Sequence, residues 1–534
     1  MPKRILCLLA SVLVAACTPD AAGPPETRTS EPSEAEKRTC SSLRPLINRV
    51  RRGWYPRRSP QLGFVVREPN FVGPATSPPH DGPWDFLVDV PLVLYGPGVI
   101  RSRGTVDRPA GIVDLAPTTA ALAGFDDWPE RSGRTLEEAI EPGSDPPRLV
   151  VTVVWDGVGD NTLRAHPEVW PFLSRLMRRG TSYSEMTIGS TPSNTAPIHT
   201  SLATGAFPED HGIISVRQLD DSGAWVDSWE DEDPATLKLA TVADLYDRAR
   251  DNTPLIGAVG TANWHLGMIG HGAALGGADL DLAALLTSSG GSFGNSSFYE
   301  VPNIASGADL QRHAETLDLA DGRADGSWRG NSLDDPALLE ASPAFAIWQQ
   351  EVLEELIVER DFGADAVTDL LYVNVKQADV AGHEWGLNSP EVRQNVEVMD
   401  DTLQDLVRTL DSAVGRGRWA LMLTADHGQM LYPQESGGFA ISGSELDAEL
   451  DAEFDRANDG FDLVERVPAS GVVVNTGQLE TNDVTLRELA EFIARYTMED
   501  ALDGADPPRY VEGRVDEPLF DAVVIRGKTA IKNC

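Results

Sequence analysis

Residues 148–157, RLVVTVVWDG, decide how this chain folds. The run of valines, broken only by Thr152, has no alternation of apolar and polar positions. It therefore reads as a strand buried on both faces, the kind found inside a parallel sheet. Four further runs read the same way: Val90–Tyr95 (VPLVLY), Pro254–Val259 (PLIGAV), Asp369–Val375 (DLLYVNV) and Trp419–Thr424 (WALMLT). Helical patterns lie between them. Leu163–Arg179 reads as one helix closed by Gly180, and Pro343–Asp361 and Pro390–Val414 as longer amphipathic helices. This alternation predicts an α/β three-layer sandwich around a central, mostly parallel sheet. In such sheets ligands collect beyond the carboxyl ends of the strands.

The 534 residues, 41% of them hydrophobic, suffice for one large domain with insertions or for two to three units. A formal net charge of −39 argues against duplex nucleic acid or an anionic membrane face as partner. A small phosphate substrate is compatible with it, because a local metal pair outweighs a distant surface field. At the front, Lys3 and Arg4 precede the short apolar run Ile5–Val14, and Leu13–Cys17 (LVAAC) reads as a lipoprotein cleavage box. Residues 1–17 are thus expected to be a signal peptide with Cys17 as lipidation site, and the protein to be exported to a bacterial cell envelope, touching membrane only through that anchor. Signal cleavage without lipid is the alternative. Residues 18–39, rich in Pro, Ser and Glu, read as a disordered tether. Residues 217–345, with Gly-rich tracts, read as a cap insertion. Residues 436–465 are acidic and loop-like, and Val472–Ala494 reads as strand then capped helix in a small accessory subdomain, about 436–534.

Asp156 ends its strand, and two more strands end alike: LLYVNVKQA leads to Asp379 and WALMLTA to Asp426. Each taken alone reads as well as a helix cap. Three carboxylates on one rim of a sheet point instead to a metal site, to which His383 and His427 add imidazoles. With no cysteine among these donors, zinc is favoured over manganese or another divalent ion. Thr195, in SNTAP, stands where a helix is expected to begin. A free hydroxyl is a poor nucleophile, but one bound to a divalent ion at a helix N-terminus is a good one.

STPSNTAPIHTSLATGAFPEDHGI (190–213), DVAGH (379–383) and ADHG (425–428) together resemble the alkaline phosphatase superfamily. The nearest branches are the type I phosphodiesterase/nucleotide pyrophosphatases and the threonine-nucleophile phosphatases. The resemblance implies Thr195 as nucleophile, with one metal on Asp379, His383 and a further histidine. The other metal is implied on Asp156, Asp426, His427 and the Thr195 oxygen. His199 and His211 read as structural, buried and hydrogen-bonded. No histidine follows His427, where the family carries its last ligand. Residues 80–124 (HDGPWDFLVDVPLVLYGPG…DLAPTTAALAG) resemble the family's C-terminal portion, and GWYPRRSPQLGFVV (53–66) the stretch before it. Asp81, intervening before Gly82, departs from the pattern. The order implies an alkaline-phosphatase-like fold that is circularly permuted: residues 40–145 are the family's tail moved to the front, 146–534 are the remainder, and His80 is the missing ligand. A separate module with an unrelated histidine is the alternative. Permutation requires the new ends to lie together, which implies a Cys40–Cys534 disulfide rather than two free thiols.

A metal-dependent phosphoric ester hydrolase with two divalent ions, a phospho-threonine intermediate and a small-molecule phosphate ester as substrate is what the resemblance implies. Two departures bear on substrate. Val216 stands where the family has a phosphate-contacting asparagine, with Arg217 beside it, and Gly260–His265 lacks the Lys-x-Arg element of the monoesterases. Arg217, Asn263, Trp264 and His265 are the candidate substrate contacts. Without the two cations a phosphodiester or nucleotide-type substrate is preferred over a phosphomonoester. A phosphotransferase and a catalytically silent metal-binding lipoprotein stay open, whereas threonine in the nucleophile motif speaks against the sulfatase branch.

Overall fold

In the computed structural model, residues 40–533 are described except 305, 306 and 458, with backbone alone at 307, 308 and 321. The expected signal peptide with Cys17, the tether and Cys534 lie outside the described residues. Fourteen strands matter here: β1 Leu62–Val66, β2 Leu92–Tyr95, β3 Gly104–Gly111, β4 Leu149–Trp155, β5 Thr181–Thr187, β6 Ile256–Gly260, β7 Asp281–Leu286, β8 Ser292–Phe293, β9 Asp369–Val375, β10 Trp419–Thr424, β11 Val464–Arg466, β12 Gly471–Val474, β13 Phe520–Ile525 and β14 Thr529–Lys532. Nine of them form the main sheet in the order β8-β7-β6-β9-β4-β10-β2-β5-β3, and Tyr299–Glu300 adds a tenth, short strand beside β7.

β4 is central because every one of its residues is buried. Val150 and Val154 enter one core layer, while Val151, Val153 and Trp155 enter the other. Each such side chain contributes about 1.5–3 kcal/mol by leaving water, and burial on both faces requires helices on both sides. One layer holds Thr195–Thr204, Leu115–Leu122 and Val242–Ala249. The other holds Pro171–Arg179, Pro343–Glu359 and Pro390–Leu410. β9, β4 and β10 are adjacent and parallel, in register from Asp369 and Trp419 opposite Leu149. Their carboxyl ends therefore share one rim.

Several expectations are corrected. Val90–Tyr95 yields β2, which runs antiparallel to both β10 and β5, so the sheet is mixed and mostly parallel. A short, wholly apolar run carries no signal of direction. The expected helix 163–179 is two helices, Asp160–Ala165 and Pro171–Arg179. Pro171 has no N–H to continue the first and starts the second at its first turn. Residues 217–345 are not simply a cap, since they supply β6 and β7 to the main sheet. The acidic segment 436–465 contains a helix, Gly443–Phe454, whose N-cap Ser442 accepts from Glu445 N–H. Leu446, Leu450 and Phe454 form its buried stripe, and the surrounding carboxylates hide that period in the sequence.

A second sheet, β11-β12-β1-β13-β14, joins residues 62–66 to strands from 464–532. β1 lies between β12 and β13, antiparallel to each. Helix Arg44–Arg52 covers it, packing Ile47 and Val50 with Leu43 against Val65, Ala522 and Val524. Cys40 is disulfide-bonded; its expected partner, Cys534, is not among the described residues. No helix among them is long and apolar enough to cross a membrane.

Candidate active site

Three strand ends deliver the acidic residues. Asp156 follows β4 directly, and its N–H donates to the Val375 carbonyl at the end of β9 at 3.0 Å. Asp379 lies one turn into helix Gln377–Trp385, which starts as β9 stops. Asp426 follows β10 and accepts from Gly157 N–H at 3.1 Å. Gly157 has φ +70°, and a Cβ there would lie 2.9 Å from Cβ of Asp379. Glycine is needed because the backbone turns left-handed while touching the next carboxylate.

Two donor groups form. Asp379 gathers His383 Nε2 at 3.5 Å and His80 Nε2 at 3.8 Å from its Oδ1. Asp156 Oδ1 and Asp426 Oδ2 lie 3.5 and 3.3 Å from His427 Nε2. The groups adjoin, with His427 Nε2 4.0 Å from Asp379 Oδ1 and the rings of His80 and His427 stacked at 3.6 Å. All six residues fall into two sets whose ligand atoms lie within 4.8 Å of one another.

The tautomers explain what such groups hold. His80 Nδ1 meets the Ser193 carbonyl at 2.7 Å and His427 Nδ1 the Gly428 carbonyl at 3.0 Å. A carbonyl only accepts, so each Nδ1 carries the proton and each Nε2 presents a lone pair to carboxylate oxygens. Burial keeps both imidazoles below their ordinary pKa, hence neutral. Asp379 Oδ1, Asp426 Oδ2 and His427 Nε2 are buried without a hydrogen-bond partner. Converging lone pairs of this kind suit a cation. Tetrahedral zinc with bonds near 2.0–2.1 Å sets its ligand atoms about 3.3–3.4 Å apart, close to the spacings observed. The residues present fit a divalent metal pair.

Thr195 opens helix Thr195–Thr204, which is buried along its whole length, with Asn194 as N-cap. The Asn194 amide donates to Asp81 Oδ1 at 2.7 Å and Ser215 Oγ at 3.2 Å. Beside Thr195 stands Lys376, which sequence reasoning missed. Its Nζ lies 2.8 Å from Asp379 Oδ2, 3.2 and 3.3 Å from the two Asp156 oxygens and 3.5 Å from Thr195 Oγ1. Burial opposes its charge, but Asp156 and Asp379 raise its pKa above the ordinary lysine value.

A cavity of about 480 Å³ opens onto Thr195, Lys376, Asp379, His80 and His383. Val216, Arg217, Trp225 and Trp264 line one wall and Pro468–Ser470 line another. Of the four expected substrate contacts, Trp264 and Arg217 lie on this cavity. Arg217 is largely exposed and paired with Asp227 at 3.1 Å. Asn263 and His265 do not line it. Asn263 donates to the Trp229 carbonyl. His265 is fully buried behind Asp156: its Nδ1 accepts from Thr261 and Ala262 N–H, which turns Nε2 toward Asp156 Oδ2 at 3.8 Å. Those two amides, invisible in the sequence, pull the ring inward. His211 is buried and bonded to Ser201 and Ile213 N–H. His199 is buried beside Asn374 at 3.3 Å, and Asn374 donates to Asp156 at 2.9 Å.

Residues 150–489 match the family model for type I phosphodiesterase / nucleotide pyrophosphatase. A 91-residue stretch is 34% identical to alkaline phosphatase PafA of Elizabethkingia meningoseptica, covering 17% of each chain. Another, of 127 residues, is 32% identical to a calcium-transporting ATPase of Myroides odoratus, covering 22% of each. The chain thus spans less than a quarter of the length of these curated relatives. The crystal structure of wild-type PafA superposes with a TM-score of 0.52 at 18% identity, over 72% of this chain and 85% of that one, and so shares its fold. With more than half of its length matched by the family model, the chain belongs to the type I phosphodiesterase / nucleotide pyrophosphatase family of the alkaline phosphatase superfamily.

Proposed function

We propose that this protein hydrolyses phosphate esters, with Thr195 as the nucleophile. The observation that carries the reading is a threonine hydroxyl at a helix N-terminus beside two groups of converging carboxylate and imidazole lone pairs. His80, Asp379 and His383 would hold one divalent ion, zinc being the ion favoured by the donor set. Asp156, Asp426, His427 and the Thr195 oxygen would hold the other. When bound, such ions supply positive charge for the attacking and leaving oxygens of an in-line displacement. The protein's own part is placement. The helix N-terminus orients Thr195 toward the cavity, and its N–H groups at Thr195 and Ala196, not capped by the Asn194 side chain, favour an anionic phosphoryl group. Asn374 holds Asp156 from behind, donating to its Oδ2 at 2.9 Å. The Thr195 hydroxyl gives up its proton to solvent and its oxygen bonds to phosphorus as the bond to the leaving oxygen breaks, that oxygen taking a proton from solvent to leave as the alcohol. Water then cleaves the phospho-threonine, releasing the phosphate product and restoring the hydroxyl.

A phosphodiester or nucleotide-type ester is the preferred substrate. Trp225, Trp264 and Val216 offer an apolar wall to a bulky ester group, and Arg217 is tied to Asp227. That leaves Lys376 as the side-chain ammonium at the nucleophile, matching one negative phosphoryl oxygen. Phosphomonoester hydrolysis is the second reading, favoured by the fold shared with a protein named alkaline phosphatase. Circular permutation also belongs to this proposal. Its support is that His80 comes from the front segment, outside the matched residues 150–489, and that segments 43–66 and 520–532 pack in one sheet and its covering helix. Export with lipid on Cys17 rests on residues 1–17 alone.

The test compares a nitrophenyl phosphodiester with its monoester, with and without chelator, in the intact protein and in Thr195→Ala. The expected result is chelator-sensitive turnover, faster on the diester, that Thr195→Ala abolishes while metal content is unchanged. Undiminished turnover by Thr195→Ala removes the nucleophile assignment. Metal content with no turnover of either ester favours a silent metal-binding protein.

A further inference from the structure

The Lys376 ammonium touches a carboxylate from each of the two donor groups and the Thr195 oxygen as well. It follows β9 directly and is the N-cap residue of helix Gln377–Trp385, three positions before Asp379. That position on the rim fixes where the side chain starts. Its side chain is 12% exposed and reaches the cavity floor. An ammonium has three N–H donors and no acceptor. Four acceptor atoms share them: Asp379 Oδ2 at 2.8 Å, the two Asp156 oxygens at 3.2 and 3.3 Å, and Thr195 Oγ1 at 3.5 Å. The contact to the nucleophile is the longest of the four, and Lys376 and Thr195 both line the cavity.

Among the described residues lining the cavity, Arg217 is the other basic side chain with a fixed charge, and it is paired with Asp227. Arg58, behind that wall, is occupied by the Gly212 and Thr236 carbonyls and by Asp221. The stretch 260–265 contributes no basic side chain to the cavity, because His265 turns inward.

We propose that Lys376 is the phosphoryl-anchoring residue of this site: its ammonium holds a non-bridging phosphoryl oxygen next to Thr195. It rests on the phosphoesterase reading above. With Asp156 and Asp379 engaged as ligands of divalent ions, the N–H groups of Lys376 that now face those carboxylates would be available to the substrate. A charge fixed in a site shielded from water, before the substrate arrives, costs no reorganisation when negative charge develops on phosphorus. A single anchoring charge matches the single formal charge of a phosphodiester.

The test uses zinc-loaded full chain, wild type and Lys376→Met, with inorganic phosphate as the binding probe. Calorimetric titration should show phosphate affinity falling at least about 10-fold. The kcat/KM for the diester should fall about 100- to 1,000-fold, the range for loss of one preorganised donor, while two ions per chain are retained. Unchanged phosphate affinity overturns the proposal, as does a metal content that rises from one ion to two on substitution, since the ammonium would then have been standing in an ion's place. If Lys376→Met fails to fold, reductive methylation of the wild type decides: phosphate should protect Lys376, and lack of protection refutes the anchoring role. A dead Thr195→Ala beside a fully active Lys376→Met would sink this inference and leave the phosphoesterase reading intact.

Discussion

His80→Ala probes the contact on which the front segment's role depends. His80 makes a hydrogen bond from Nδ1 to the Ser193 carbonyl at 2.7 Å and stacks on His427 at 3.6 Å. Losing one such bond costs about 0.5–1.5 kcal/mol. In the metal-loaded protein a ligand is lost as well. Partners one step removed from a metal cost 10- to 100-fold in affinity when mutated, so a direct ligand should cost at least about 100-fold, or about 2.7 kcal/mol. Metal that binds only the folded state adds stability in proportion to the logarithm of its affinity. The stability gained on adding zinc should therefore shrink by about 2.7 kcal/mol in the variant, whereas the chelated proteins differ by only about 1 kcal/mol. Urea unfolding with zinc and with chelator measures both quantities, and metal analysis after dialysis should show one ion lost. If zinc stabilises His80→Ala as much as it does the wild type, His80 is not a ligand and the permuted arrangement loses its main support.

Gly157→Ala should place a methyl group 2.9 Å from Cβ of Asp379 at a φ of +70°. The strain and overpacking should cost about 2–4 kcal/mol in urea unfolding and weaken metal retention. Cys40→Ser should expose one new thiol at Cys534 and lower stability by about 4 kcal/mol; thiol titration after unfolding, with peptide mapping, identifies the partner. His211 has its pKa pushed down to about 3 by burial and by Arg131. The unfolded chain takes up this proton near pH 6.5 and the folded one does not, so the stability contribution is lost as pH falls through that window. Between about pH 7 and pH 5 the loss should be about 2 kcal/mol. His211→Gln should reduce the pH dependence of unfolding by that amount.

Asp156, Asp379 and Asp426 were legible because each closes an apolar run, and a parallel sheet sends such ends to one rim. Residues 369–375 and 419–424 form strands at the expected bounds for the same reason. His80 could be read only from the order of motifs around it, since no local period marks it. Lys376 was illegible. A lysine between a strand and a helix ordinarily faces solvent, and only the turn after Val375 sends it between two carboxylates. Likewise His265 and Trp264 are neighbours in sequence with opposite fates, one ring captured by backbone amides and the other left on the cavity wall. The helix Gly443–Phe454 was obscured because acidic residues dominate its composition, although three apolar side chains one turn apart hold it down.

The pairing of Leu62–Val66 with Gly471–Val474 and Phe520–Ile525 sets a timetable for the nascent chain. At about 5–20 residues per second of synthesis, its first neighbour emerges on the order of 20–80 s later and its second after that. Through this interval an apolar five-residue strand carries two bare hydrogen-bonding edges, the condition that invites intermolecular pairing. Phe520–Ile525 therefore decides whether Leu62–Val66 gains its second neighbour or keeps a bare edge. Removing residues 520–532 should accordingly show first as lost yield of soluble protein.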